Sequence, residues 1–170
     1  MSSFFIISIM TDDRPGIVDT LSGIIKDNQG NWLESRMTQL AGKFAGIVKV
    51  QITEQNVSGL EVALNQLKDT GWVINTEYSQ AQASDSQANA KLNIVGNDRP
   101  GIVKDVAQAL AALAVNVLEL NTQFESAAMS AEPLFKTKAW VHIPETVEVD
   151  DVRDALEQLS NELMVEINPL

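Results

Sequence analysis

Two copies of one short motif carry the residues best suited to binding chemistry in this chain. The hexapeptide Asp-Arg-Pro-Gly-Ile-Val occupies residues 13–18 and returns unchanged at residues 98–103 of the 170-residue sequence. Proline suits the first position of a helix, and glycine lets a ligand approach the backbone because it has no Cβ. The first N–H groups of a helix lack internal partners and lie at the positive end of its dipole. The motif therefore predicts two carboxylate-binding corners, each at a strand-to-helix junction.

The residue order predicts a helix that begins at about Pro15, with Arg14 as its N-cap residue. Arginine has no side-chain oxygen, so the N–H groups of Gly16 and Ile17 stay open unless Asp13 folds back on them. Nearby carboxylate and amide oxygens could accept hydrogen bonds from an ammonium group. These features together describe the two ends of a free amino acid. The alternative is that the aspartates of the motif satisfy their own helix ends and that nothing binds.

The segments around the first motif predict a βαββαβ unit with an antiparallel sheet. Strand formers fill the first segment, and apolar residues then recur at helical spacing up to a glycine at residue 30 that is placed to stop the helix. A tight turn at residues 41–43 joins two further strands. The predicted strands are residues 4–10, 31–40, 44–53 and 72–78, and the helices start at about residue 15 and at residues 56–58.

A second copy of this unit follows a solvated linker. Between residues 79 and 89 the composition changes to Gln, Ala, Ser and Asp without an apolar period. We therefore predict a domain at residues 1–80, a linker at 81–89 and a second domain at 90–170. A longer loop at residues 125–133 is the main asymmetry between the copies. The predicted strands of the second copy are residues 91–96, 116–124, 134–143 and 163–167, and its helices cover the apolar positions of residues 102–113 and 149–163.

An asparagine opens the second strand of each copy, at Asn31 and Asn116. In a sheet of order 4-1-3-2 this strand lies at an edge, and an edge needs cover. If the halves join side by side through these edges, Asn116 faces residues 11–16 and Asn31 faces residues 96–101. The sequence then predicts two sites, each built from both halves. The candidate ligand-binding residues from this reasoning are Asp12, Asp13, Gly16, Ile17 and Asn116 for one site, and Asn97, Asp98, Gly101, Ile102 and Asn31 for the other.

Composition limits the kinds of partner that the chain could bind. The formal net charge of −11 opposes the electrostatic term that drives most binding to nucleic acid, so direct DNA contact is not expected. With no cysteine, disulfides and thiolate metal sites are excluded, and a reducing cytoplasm is compatible. No apolar run reaches membrane-spanning length, and residues 1–7 lack the pattern of a signal peptide. We expect a soluble cytoplasmic protein that does not bind membranes.

A βαββαβ unit with this motif at its first strand-helix corner resembles the ACT domain, a small regulatory module that binds amino acids. Two such units in one chain are similar to the glycine cleavage system transcriptional repressor family, and the segments at residues 31–36, 116–120 and 129–135 carry the likeness beyond the motif. The resemblance implies an α+β chain of two ferredoxin-like domains, with the helices on one face of each sheet. It also implies glycine or a similar amino acid as ligand, with Arg14 and Arg99 added to the residues that bind it, and a DNA-binding activator as protein partner. Asp12 opposite Asn97 makes the two corners chemically different.

Catalysis is the competing class of function, and the sequence offers little for it. The single histidine, His142, falls in a predicted strand, and the carboxylates of residues 145–151 begin a helix, where negative charge favours the dipole. No glycine-rich phosphate loop, Ser-His-Asp set or metal-ligand spacing occurs. We therefore expect no cofactor, no metal and no enzymatic activity.

A third interpretation is a regulatory subunit that binds a metabolic enzyme instead of a transcription factor. Trp32, Trp72 and Trp140 could anchor such a contact, although tryptophans in small α/β domains more often pack in the core. Because the chain already contains two copies of one unit, association into a homo-oligomer is also expected.

Overall fold

The chain folds into two units with the same order of elements. The computed structural model describes residues 3–80, 87–126 and 132–170. The units are Met1–Ser84 and Asp85–Leu170, and each has the predicted βαββαβ order. Most of the predicted linker and of the loop at residues 125–133 lies outside the described residues.

The first unit contains a four-stranded antiparallel sheet of order β2-β3-β1-β4, which confirms the predicted strand order. The strand β2 therefore lies at one edge and β4 at the other. A two-residue turn at Ala41 and Gly42, both with positive φ, joins β2 to β3. The elements are β1 (Ser3–Asp12), α1 (Ile17–Asp27), β2 (Asn31–Leu40), β3 (Lys43–Gln51), α2 (Glu54–Lys68) and β4 (Val73–Gln80).

The second unit repeats this topology with the order β6-β7-β5-β8. Both edge strands β2 and β6 carry a β-bulge at the same repeat position, between Trp32 and Glu34 and between Val117 and Glu119. The elements are β5 (Ala90–Asn97), α3 (Ile102–Ala112), β6 (Asn116–Ser126), β7 (Pro133–His142), α4 (Val149–Glu157) and β8 (Met164–Pro169).

Each unit has its own core between the sheet and its two helices. Alternate residues of the central strand are buried, as the pleat of a strand with one covered face requires. In the first unit Phe5 and Ile7 pack with Leu21 of α1 and Leu60 of α2. Trp72 is only 3% exposed and belongs to this core, so it is not available as a surface anchor. None of the described helices is long and apolar enough to span a bilayer.

The second helix of each unit, α2 and α4, differs from its predicted bounds. The helix α2 begins at Glu54 rather than at residue 56, because Thr53 is the N-cap residue and its carbonyl accepts the N–H of Asn56. The helix α4 ends at Glu157, although apolar residues continue the helical period to residue 163. The chain tightens there, because the N–H of Leu159 donates to the carbonyl of Leu156 at 3.1 Å. A second turn follows, in which the carbonyl of Ser160 accepts the N–H of Leu163 at 3.2 Å and its hydroxyl accepts the N–H of Glu162 at 3.2 Å.

The first and last strands of each unit lie side by side. In the first unit Ser3 is paired with Gln80, and in the second Ala90 is paired with Pro169. Asn89 reinforces this junction because its side-chain amide bonds to the backbone of Ile143 in both directions at 2.8 Å, and its carbonyl accepts the N–H of Leu170 at 2.9 Å.

Two glycines of the first unit give a matched stability test. A Cβ on Gly46 of β3 would collide with the carbonyl oxygen of Arg36 and lie 2.6 Å from Cγ of Met37, whereas a Cβ on Gly23 of α1 would enter open space. We expect Gly46→Ala to destabilise the unit by about 2 kcal/mol through overpacking. Gly23→Ala should stabilise it by about 0.5 to 1 kcal/mol, since alanine favours helix. Thermal unfolding of both variants measures this; equal midpoints would contradict it.

Candidate ligand-binding site

Each repeated motif forms a turn that precedes the helix instead of the first turn of the helix. The helices begin at Ile17 and Ile102, and the N-cap residues are Gly16, with φ 91° and ψ 3°, and Gly101, with φ 85° and ψ 1°. The prediction that the first helix begins at about Pro15 with Arg14 as N-cap was therefore wrong. Proline followed by glycine at these angles is typical of the central pair of a type II turn, and this turn takes precedence over proline's preference for the first helical position.

The amides at the start of both helices lack side-chain caps. The N-cap glycines have no side-chain oxygen, and among the described residues no side-chain hydrogen bond caps either helix, so Asp13 and Asp98 do not fold back onto the amides. In the second corner the N–H of Ile102 is bonded to the carbonyl of Arg99 at 3.3 Å, which closes the turn. The amides of the first corner keep the character of an anion site.

Each turn is held by a backbone hydrogen bond to a residue at, or directly before, the start of the third strand of its unit. The N–H of Asp13 donates to the carbonyl of Gly42 at 2.9 Å, and the N–H of Asp98 donates to the carbonyl of Pro133 at the same distance. This equivalent bond fixes each aspartate next to the start of the helix. The side chains of both aspartates are exposed and free to contact a ligand.

The first corner combines a salt bridge with an available guanidinium group. Asp12 is paired with Lys43 of β3, which lies opposite it in the strand register. The hydrogen bond and the charge of Lys43 hold the pKa of Asp12 below its ordinary value of 3.8, and Arg14 lowers it slightly further. In the described part of the chain, Arg14 has no carboxylate within 4.0 Å. Its charge is therefore available to an anionic ligand.

The second corner has the same backbone conformation, but its polar side chains are bonded to other residues of the same unit. Arg99 is bound to Asp105 of α3 at 2.6 Å, and the amide of Asn97 donates to Glu162 at 2.5 Å. Thr20 occupies in α1 the repeat position of Asp105, so the first corner has no corresponding carboxylate. The second corner thus offers less free positive charge to a carboxylate.

The structure brings some predicted site residues together and separates others. Asp12, Asp13, Arg14 and Gly16 are all exposed at one corner. The side chains of Ile17 and Ile102 are each 4% exposed and lie in the cores, so only their backbones can face a ligand.

The two predicted asparagines lie away from the corner of their own unit. In β2, Asn31 is opposite Gln51, at the end of β3 that is remote from Lys43 and the corner, and Asn116 is opposite His142 in the second unit. Both side chains are exposed. Their predicted contribution to the corner of the other repeat stays a prediction.

Three charged partners of the corners escaped the sequence analysis. Lys43 could have been found from the antiparallel pairing of the first and third strands, and Asp105 from its place in the first turn of the helix. Glu162 follows a helix at the far end of the unit, so only the tertiary fold brings it to Asn97.

Among the described residues there is no group of three or more His, Cys, Asp or Glu side chains that could hold a metal ion. Nδ1 of His142 lies 2.9 Å from the carbonyl oxygen of Gln87, which is a contact with the chain preceding β5.

Comparison with known proteins agrees with this architecture. The ACT domain matches residues 3–74 and again residues 84–165, so the two matches together span nearly the whole chain. The chain belongs to the ACT domain family. No curated protein gives a significant match to this ACT protein.

Two solved structures are similar to this chain over its full length. An unknown protein from Galdieria sulphuraria is 28% identical with a TM-score of 0.81, and the alignment covers 100% of this chain and 99% of that one. A protein proposed to be a glycine cleavage system transcriptional repressor is 15% identical with a TM-score of 0.75, and the alignment covers 100% of this chain and 98% of that one. At that identity the second likeness shows a shared fold.

The salt bridge of the first corner makes a pH prediction. Because the pKa of Asp12 is lowered in the folded chain, the pair with Lys43 stabilises the fold above about pH 4 and loses its effect as the pH falls further. In Lys43→Met the pKa of Asp12 should rise toward its ordinary value, as read from the carboxyl carbon shift in an NMR titration. Lys49→Met, which removes a lysine of the same strand, is the control and should leave Asp12 unchanged. An unshifted Asp12 in the Lys43 variant would contradict the assignment.

Proposed function

We propose that this ACT protein is an amino-acid-sensing regulator whose first corner binds the carboxylate of glycine or a similar amino acid. The observation that carries the proposal is the uncapped turn at the start of α1 beside an arginine with no carboxylate partner among the described residues. Backbone amides at a helix start favour a carboxylate, and a guanidinium adds a strong charged donor. The carboxylate of Asp13 would accept a hydrogen bond from the ammonium group of the ligand. Gly16 has no Cβ and so leaves room for the ligand to approach the backbone.

The two corners are proposed to bind with different affinity. Arg99 and Asn97 already have partners in the second corner, so a ligand there must compete with Asp105 and Glu162. Affinity is limited in any case by ligand size. For a ligand with about five heavy atoms, a ceiling of about −1.5 kcal/mol per atom allows a dissociation constant of a few micromolar at best. Such a range suits a sensor of metabolite concentration.

We further propose that the signal passes to a protein partner, a DNA-binding transcription factor of the glycine cleavage system, in the cytoplasm. The tandem fold shared with a protein proposed to be a glycine cleavage repressor supports this assignment. The net charge of −11 argues against direct contact with DNA, because like charges repel and few counterions would be released. Regulation of a metabolic enzyme as a non-catalytic subunit is the alternative.

Binding at the corner is tested by calorimetry with free glycine, serine, alanine and the remaining amino acids. Gly16→Ala should weaken the best ligand about tenfold, because alanine is strained at positive φ and the amides must move. Gly71→Ala is a matched control, since Gly71 also has φ 91° and also has open space at its Cβ. It introduces the same strain away from the turn and should leave affinity unchanged.

The same titrations decide between the corners. Gly101→Ala is expected to change affinity less than Gly16→Ala, and Asn31→Ala and Asn116→Ala test whether these amides contribute to binding. Absence of heat with every amino acid would overturn the proposal. Equal loss in Gly16→Ala and in the Gly71→Ala control would show that the effect is one of stability.

The protein partner is tested by affinity capture from the source organism's lysate, with and without glycine. Recovery of a DNA-binding protein in a glycine-dependent manner would support the transcriptional assignment. Recovery of a metabolic enzyme would favour the alternative instead. With the Gly16→Ala variant as bait, capture of the partner should no longer depend on glycine. This control separates specific capture from nonspecific binding.

A further inference from the structure

The sheet of the first unit has one face covered by helices and one open face. On the covered face, Phe5, Ile7 and Ile9 of β1 are buried in the core with residues of α1 and α2. Because side chains alternate along a strand, the residues between them lie on the open face. The apolar residues that β1, β3 and β4 contribute to this face are called the apolar patch, and they are Ile6, Met10, Ala45, Ile47 and Val73.

The apolar patch is continuous across three neighbouring strands and is accessible. Met10 pairs with Ala45 on one side and with Val73 on the other, so these side chains are direct neighbours. Ile47 lies opposite Ser8, one step along the same face. The side chains of Met10, Ile47 and Val73 belong to residues that are 44%, 53% and 54% exposed. Exposed apolar residues that adjoin one another in this way are typical of an interaction surface.

The second unit has lysine at most of the equivalent positions. By strand register the equivalent pairs are Ile6 and Lys91, Ala45 and Lys136, and Ile47 and Lys138. Ammonium groups are costly to remove from water, so the open face of the second unit is suited to solvent. The same sheet therefore tolerates charge at these positions, and the fold does not require the apolar residues of the first unit.

The charges beside the apolar patch balance, although the chain as a whole is strongly acidic. Glu34 and Arg36 of the edge strand β2 form a salt bridge at 3.1 Å. Lys49 of β3 and Glu77 of β4 flank Ile6 on either side. These two pairs cancel, whereas the chain carries a net charge of −11. Two copies can therefore approach through this face with little repulsion, and a strongly charged partner would gain little attraction from it.

The open face is large enough for a specific contact between two copies. The sheet has four strands, and the shortest has 8 residues. At a rise of about 3.3 Å per residue and a strand spacing of about 4.8 Å, the face measures about 26 Å by 19 Å, or about 500 Å². Two such faces would bury about 1,000 Å² in total, which is the lower limit for a specific interface. Face-to-face packing of two sheets would form a β-sandwich.

We infer that this ACT protein forms a symmetric dimer in which the apolar patch of one copy packs on the same patch of a second copy. A second copy is the occupant that this surface fits, because the patch is apolar, its border carries both signs of charge, and two-fold symmetry brings each apolar residue into the interface twice. The inference does not rest on ligand binding at the corner.

The test is sedimentation velocity of the full chain over a range of concentrations. An interface of about 1,000 Å² is small, so we expect a dimer with a dissociation constant in the micromolar range. Ile47→Lys introduces the residue that the second unit has at this position. It should weaken the dimer about hundredfold, because the charge enters a symmetric interface twice.

A matched control places the same charge on the other side of the sheet. Val62 lies on α2 and is 60% exposed, so Val62→Lys should leave the dimer unchanged. Val73→Lys on the edge strand is a second variant of the patch and should also weaken the dimer. Circular dichroism checks that all three variants keep the fold. Added salt should tighten the wild-type dimer, because it screens the repulsion between two chains of net charge −11.

Three results would overturn the inference. The first is a wild-type chain that stays monomeric at concentrations far above the micromolar range. The second is a pair of folded variants, Ile47→Lys and Val73→Lys, that dimerise as the wild type does. The third is a monomer that captures a different protein through the apolar patch, which would assign the patch to that partner.

Discussion

The two corners depend on one backbone constraint, a glycine held at positive φ directly before the helix. Alanine at such an angle costs about 1 to 2 kcal/mol, so glycine is strongly favoured at this position of the turn. Because the glycine itself is the N-cap residue, no hydroxyl or carboxylate is supplied to the first amides of either helix. The geometry that turns the chain from strand to helix is thus also the geometry that leaves the first amides without a side-chain acceptor from the N-cap residue.

Around this common backbone the two copies differ in their electrostatics. Strand register places Lys43 beside the first corner, whereas the second corner has Leu134 at the corresponding place. The first turn of the helix carries Thr20 in one copy and Asp105 in the other. Asp105 pairs with the arginine of the second motif, whereas Lys43 pairs with Asp12 in the first corner. The repeated frame is retained while the chemistry of each site changes independently.

Most of the fold follows from the sequence because the repeat and the apolar periodicity agree with each other. The strand β2 has the predicted bounds, and the edge position of the second strand is confirmed in both units. The errors arise where two local preferences compete. Pro15 is equally suited to a type II turn, and Leu163 continues a helical period that Ser160 has already interrupted. The partners of the corner side chains could not be predicted, because Asn97 meets Glu162 only through the tertiary fold.

Ser3 pairs with Gln80, and Ala90 pairs with Pro169. The first and last residues of each unit therefore lie side by side at one end of its sheet. A module of this kind can be copied in series with only a short connector, because no strand has to be rethreaded through an existing core.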